Sequence, residues 1–249
     1  MSEKQIDGRF RVAAIQTVSG PDPTENMHTV AGLVEDAARQ GARLVALPEY
    51  FGLLSPDETT KVGLREAEGG GPLQAFLSGL ARRHQVWLVG GTIPMVCPDP
   101  GKVFNSCLVY DEAQTIVPGG EVVSFEAPFG RVGLSVCYDL RFPELYRAMG
   151  RVELIVVPAA FTYTTGSAHW EILLRARAIE NQAYVLAPAQ GGRHPGGRRT
   201  YGDSMIVDPW GEVLDRRAEG PGVVIADIDP ARLASVRNNL PALDHRRIK

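Results

Sequence analysis

The feature that most constrains this chain is a repeated alternation of short apolar runs with amphipathic stretches. RVAAIQT (residues 11–17) reads as a buried strand, because its apolar run is short and bounded by polar residues. PTENMHTVAGLVEDAARQG follows, with Met27, Val30, Leu33, Val34 and Ala37 at helical spacing and Gly41 placed to stop the helix. ARLVALPE (42–49) is a second strand, ended by Pro48. PLQAFLSGLARRHQ is a second helix, opened by Pro72 at a favoured first-turn position. VWLVGGT is a third strand. From Phe104 to Val136 the pattern turns strand-rich, and Pro128 to Gly130 reads as a hairpin turn. A short helix (FPELYRAMG), a buried strand (ELIVVPAA) and a long helix (167–182) come next. AYVLAPA, DSMIVDPWGEVLDRR with a turn at Asp208 to Gly211, GVVIADID and a last helix PARLASVRNNL complete the chain. This order predicts a mixed sheet, or two packed sheets with helices outside.

Composition narrows the function. The 249 residues are 44% hydrophobic and 22% charged, which allows one large α/β domain over residues 1–249. The net charge of -3 and the lack of any basic stripe argue against a nucleic-acid partner. No apolar run is long enough to cross a bilayer, and MSEKQIDGRF lacks the apolar core of a signal peptide. Three cysteines at Cys97, Cys107 and Cys137 fit no zinc spacing and suit free thiols in a reducing cytoplasm. The five histidines form no paired ligand set, so a metal is not expected. The Gly-rich segments EGGGP (68–72) and QGGRHPGGRR (190–199) read as mobile surface loops, without a phosphate-binding fingerprint.

GRVGLSVCYDLRFPE (130–144) carries the chemistry. A free cysteine is commonly a small core hydrophobe. Cys137, however, stands where an apolar strand ends, and the carboxyl ends of strands are where α/β folds gather catalytic groups. A turn there would expose the thiol and aim backbone N–H groups at one point, as an oxyanion requires. A thiol needs a base to become a nucleophile. Glu49 holds the matching place, just past the strand that Pro48 stops, although a solvated loop carboxylate is the plain alternative. His169, in SAHWE, is a second candidate partner, as in a Cys–His hydrolase on an unrelated fold. Cys97 and Cys107 read as structural, the latter inside an apolar strand.

These segments resemble the nitrilase, or carbon–nitrogen hydrolase, superfamily. The resemblance rests on RVAAIQT, LVALPEY, FGRVGLSVCYDLRFPELYR, FTYTTGSAHWEILLRARAIENQAYV and YGDSMIVDPWGEV, in that order. It implies a four-layer α-β-β-α sandwich, cytoplasmic homo-oligomers (dimers or higher), no cofactor and a Glu–Lys–Cys triad acting on a small-molecule amide. By position Glu49 would be the general base and Cys137 the nucleophile, with the Tyr138 backbone N–H steadying the oxyanion. The thiolate would attack a carboxamide carbon, ammonia would leave, and water would hydrolyse the thioester. Tyr138-Asp139 after the cysteine, where true nitrilases carry Trp-Glu, points to the amidase branches. AHWEILLRARAIENQ and APAQGGRH resemble the Nit1-like branch, which acts on deaminated glutathione. The ω-amidase branch is the near rival. Arg141 could pair with a substrate carboxylate or form a structural ion pair. Phe161, Thr162 and Trp170 could line the pocket or merely pack.

The family lysine has no counterpart. Lys4, Lys61, Lys102 and Lys249 all lie outside the expected segment, and LVYDEAQTIVPGGEVV reads as if spliced near residues 110–115. On that reading Glu112 would match the family's second glutamate. Three accounts follow: the written sequence omits a segment, the segment is deleted, or Lys102 substitutes from another strand end. Loss of one oxyanion donor costs on the order of 100- to 1,000-fold in rate. A true deletion therefore predicts an impaired member, acting as an oligomeric binding or scaffold protein. Asp203, in YGDSM, stands where relatives often have histidine.

Overall fold

The computed structural model describes residues 8–111 and 122–247. Its frame is two facing sheets. In the first, the strands run in the order Gly222–Ile228, Phe10–Gln16, Leu44–Ala46, Trp87–Val89, Val109–Tyr110. The second runs Val213–Arg217, Ser204–Val207, Tyr184–Ala187, Leu154–Val156, Gly130–Leu134, Ser124–Ala127. Each sheet has three parallel central strands flanked by antiparallel ones.

Strand alternation separates three cores. Val12, Ala14, Leu44 and Ala46 point inward and meet Val132, Leu154, Val156 and Leu186 between the sheets. Ala13, Ile15, Val45 and Leu88 point outward, against Val30, Val34, Leu77 and Leu80 of the helices Pro23–Arg39 and Pro72–His84. Ile155, Val157, Val185 and Met205 meet Tyr146, Trp170, Leu174 and Ala178 of the helices Pro143–Ala148 and Tyr163–Asn181. The result is an α-β-β-α sandwich. These central strands are apolar on both faces because each face is covered.

The helices start where local chemistry lets them. Asp22 accepts the Thr24 N–H at 2.8 Å, and Pro23 occupies the first turn. Helix Tyr163–Asn181 begins four residues before the expected 167, capped by Thr162, whose hydroxyl accepts from the Thr165 N–H at 3.4 Å. The Thr-rich run looks like a loop by composition, yet the cap and the packing of Gly166 against Tyr201 make it helical. The segment expected as a mobile loop at 190–199 is instead part of a hairpin, Gly191–Arg193 with Arg199–Tyr201. Gln190 and His194 are buried and bonded: Gln190 to Ser19 and to the Glu49 carbonyl, His194 to Ser19 O and Thr200. Those tertiary bonds, invisible in a Gly-rich composition, order it.

Candidate active site

Glu49 and Cys137 are delivered by the same device on opposite sheets. Each lies three residues beyond a parallel strand, Leu44–Ala46 for Glu49 and Gly130–Leu134 for Cys137, at the carboxyl end. Two turns aim them inward. Cys137 opens a 3-10 segment, Cys137–Arg141, with φ of 46°. Tyr50, directly after the glutamate, has φ of 58°. Both are left-handed conformations that cost a non-glycine residue on the order of 1–3 kcal/mol, so the surroundings must hold them. They do. The Cys137 N–H donates to Pro158 O at 2.8 Å, and the Asp139 carboxylate accepts the Val136 N–H at 2.9 Å. The Tyr50 N–H donates to Thr92 Oγ1 at 3.0 Å, and Gln190 Nε2 to Glu49 O at 3.0 Å.

The two side chains face one cavity, and each acts on the titration of the other. Asn105 Nδ2 donates to Glu49 Oε1 at 2.9 Å. Glu49 is 6% exposed, and burial pushes its carboxyl above the ordinary carboxylate range. Hydrogen bonding and the charge of Lys61 oppose that rise. Burial, then the Glu49 charge, pushes the Cys137 thiol well up. The Ala160 N–H and the charge of Arg198 act the other way. With the Cys137 and Asp139 N–H groups spent on Pro158 O and Val136 O, the Tyr138 N–H is left in the first turn without an intrahelical acceptor. A thiol, a carboxylate and an open amide thus surround a cavity of about 650 Å³. This set can activate a thiol and receive an oxyanion.

The other expected residues are placed elsewhere. None of Arg141, Phe161, Thr162 and Trp170 lines the cavity of Glu49 and Cys137. Trp170 is 1% exposed, packs on Phe161 and donates its indole N–H to Asp203 O at 2.8 Å. Thr162 is the helix cap described above. Arg141 lies over the Phe161 and Tyr138 rings, and its Nη1 is 3.2 Å from His169 Nδ1. His169 lines a separate surface pocket with Arg141, whereas Cys137 lines the cavity of Glu49. Cys107 lies between two strands rather than within one and lines the Cys137 cavity, its thiol pushed up to about 12 by burial. Asp203 has φ of 59° and forms a two-toothed ion pair with Arg216, at 2.9 and 2.5 Å. Glu112 lies outside the described residues. Lys102 is exposed and pairs with Asp99 at 3.0 Å.

Asn105, Tyr50, Gln190, Lys61 and Arg198 escaped the sequence reading. Asn105 alone left a trace there, as a polar amide in the apolar run FNSCLVYD. Among the described residues no group of three His, Cys, Asp or Glu could hold a metal ion, and no helix is long and apolar enough to cross a membrane.

Comparison with known proteins agrees with this geometry. Residues 11–238 match the carbon–nitrogen hydrolase family. A protein of Synechocystis sp. named deaminated glutathione amidase is 41% identical, over 95% of this chain and 98% of its own. Omega-amidase NIT2 of Mus musculus is 35% identical, over 96% of this chain and 95% of its own. The C. elegans NitFhit crystal structure superposes with a TM-score of 0.89 at 34% identity, covering 97% of this chain and 66% of that one. The Synechocystis match extends over 268 aligned positions, more than the 249 residues here, so that relative has positions without a counterpart in this chain. An unrelated Cys–His fold is thereby set aside, and the chain belongs to the carbon–nitrogen hydrolase family.

Proposed function

We propose that this chain, as one hydrolase unit, cleaves an amide C–N bond through a thioester on Cys137. The observation that carries the reading is the placement of the Cys137 thiol and the Glu49 carboxylate on one cavity, each at a strand-end turn of one of the two facing sheets. Glu49 takes the thiol proton as sulfur bonds to the amide carbon. The carbonyl electron pair moves to oxygen, where the Tyr138 N–H meets it. Collapse breaks the C–N bond, and Glu49 returns its proton to the departing nitrogen. Water, deprotonated by Glu49, then breaks the thioester and releases a carboxylate. The leaving group is ammonia from a primary amide, or the cysteinylglycine amine from deaminated glutathione.

Similarity to a deaminated glutathione amidase favours that substrate, and similarity to an omega-amidase supports an ω-amide of a dicarboxylic acid as the alternative. Cys137→Ala should abolish hydrolysis of both while leaving the circular-dichroism spectrum unchanged. Undiminished turnover in that variant would sink the proposal.

A second reading, an impaired member acting as a binding or scaffold protein, is favoured by the raised Cys137 thiol and the lack of a lysine in the expected segment. Iodoacetamide separates the two. A catalytic Cys137 is alkylated faster than Cys97 as Glu49 ionises, whereas an inert one lags at every pH. Three unpaired cysteines suit a reducing cytoplasm. The exposed apolar side chains of Ile172, Ile179 and Trp210 suit a homo-oligomer.

A further inference from the structure

A second cavity, of about 320 Å³, lies beside the one that holds Cys137, and Asn105 lines both. Tyr50, Glu58, Thr92, Lys61 and Lys102 wall it. The two lysines differ. The Lys102 side chain is 75% exposed, whereas that of Lys61 is 11% exposed. Lys61 Nζ sits 3.9 Å from the ring centre of Tyr50, the residue next to Glu49. Its charge reaches the Glu49 carboxylate.

Burying an ammonium is costly unless it is paired. The partner is unusual for a structural pair. Glu58 Oε2 lies 2.5 Å from Lys61 Nζ, yet its own side chain is 65% exposed. Its other oxygen lies 3.7 Å from Arg198 Nη1. Arg198 is the cation whose charge also acts on Cys137. One largely exposed carboxylate therefore sits between two cations, the buried Lys61 and the more exposed Arg198, at the edge of the site. Around this ammonium the charged groups are Glu58, Glu49 and Arg198, with the Lys102–Asp99 pair at the far wall. A buried cation whose close anion can swing out to solvent is a seat for an exchangeable carboxylate.

We propose that the Lys61 pocket binds the carboxylate of the amide substrate, and that Glu58 is a tethered placeholder displaced when it binds. The proposal rests on the amide-hydrolase reading for what that carboxylate is attached to. It assigns recognition of the acid end to Lys61 and Arg198, and not to Arg141, which is engaged with His169 and aromatic rings on another surface.

The test reads binding alone. In a Cys137→Ala background, glutaramate (an anion with one terminal amide) and the neutral diamide of the same length are titrated by calorimetry. Added Lys61→Met should weaken glutaramate by about 10-fold or more, the scale of a lost charged hydrogen bond, and leave the diamide unchanged. Lys61→Arg should restore most of the affinity. Glu58→Gln, which removes the competitor, should tighten glutaramate several-fold without moving the diamide. If Lys61→Met does not fold, Glu58→Gln decides alone. Glutaramate binding that ignores either substitution, or that is absent from the parent, overturns the proposal. Turnover is not read, so this binding pattern keeps the carboxylate seat even if a separate assay of the unsubstituted chain finds no hydrolysis, the result that would refute the hydrolase reading.

Discussion

At Glu49 burial raises the carboxyl against hydrogen bonding and the charge of Lys61, and at Cys137 burial and the Glu49 charge raise the thiol together. Both shifts make the group a weaker acid than in water, so that an ionised Glu49 is the stronger base. Two consequences are measurable. The acid limb of kcat/KM should lie above the ordinary carboxyl value of 4.5, and Glu49→Gln should lower kcat/KM by about 100- to 10,000-fold. The same shift fixes a stability change. A carboxyl whose folded pKa is raised contributes stability that is complete below its unfolded value and is lost as pH rises through the folded one. Glu49→Gln should therefore raise the melting temperature at pH 7–8 and give little gain below pH 4. Melting curves of both proteins across that range check it. A gain that is the same at every pH would show that ionised Glu49 is not under strain.

The elements aim these residues through backbone contacts. Gly91, with φ of +60°, lies so close beneath the glutamate turn that a Cβ there would sit 2.1 Å from Pro48 O. Gly91→Ala must push the Pro48–Glu49 backbone or break the left-handed turn. It should cost about 1–3 kcal/mol of stability by denaturant titration. Hydrolysis should fall further than that loss explains, because the base is displaced. Wild-type kcat in a destabilised Gly91→Ala protein would argue against this aiming role. The strand ends themselves were legible in the sequence. Pro48 stops one run, Tyr138-Asp139 stops the other, and the helix Pro23–Arg39 announces itself by Val30, Val34 and Ala37. What was not legible depends on partners distant along the chain. Gln190 is read as loop until Ser19 and Glu49 are brought to it, 171 and 141 residues away. Lys61, in DETTKVG, looks like a solvated surface lysine, and only the Tyr50 ring and the Glu58 carboxylate reveal its burial. Arg141 and Trp170 were left open for the converse reason. Residue type allowed either a pocket or packing, and only the fold places them against His169 and Asp203.

Across the whole molecule, three cores account for both faces of both sheets, so the apolar side chains left outside need another explanation. Ile172 is 69% exposed and Ile179 48%, seven residues apart on one face of the helix Tyr163–Asn181. Trp210, 57% exposed, stands beside them, because the turn at Gly211 packs against Ile179. Ion pairs of Glu171 with Arg175 and Arg216 lie nearby. An apolar strip bordered by charges is the pattern of a subunit interface. The helix also touches the catalytic turn from its buried side. Arg177 donates to Leu140 O at 2.7 and 3.2 Å, inside Cys137–Arg141. Covering the outer face of this helix would thus stiffen the element on which the elbow rests. The expectation is a solution mass of at least twice the 27.0 kDa chain by light scattering. Ile172→Glu, at the most exposed position, should shift it toward the single-chain mass. If assembly steadies the elbow, that monomer keeps its KM and loses several-fold in kcat. A wild-type protein that already runs at the single-chain mass at micromolar concentration removes the interface. A dissociated Ile172→Glu protein with undiminished kcat keeps the interface and removes its link to the elbow.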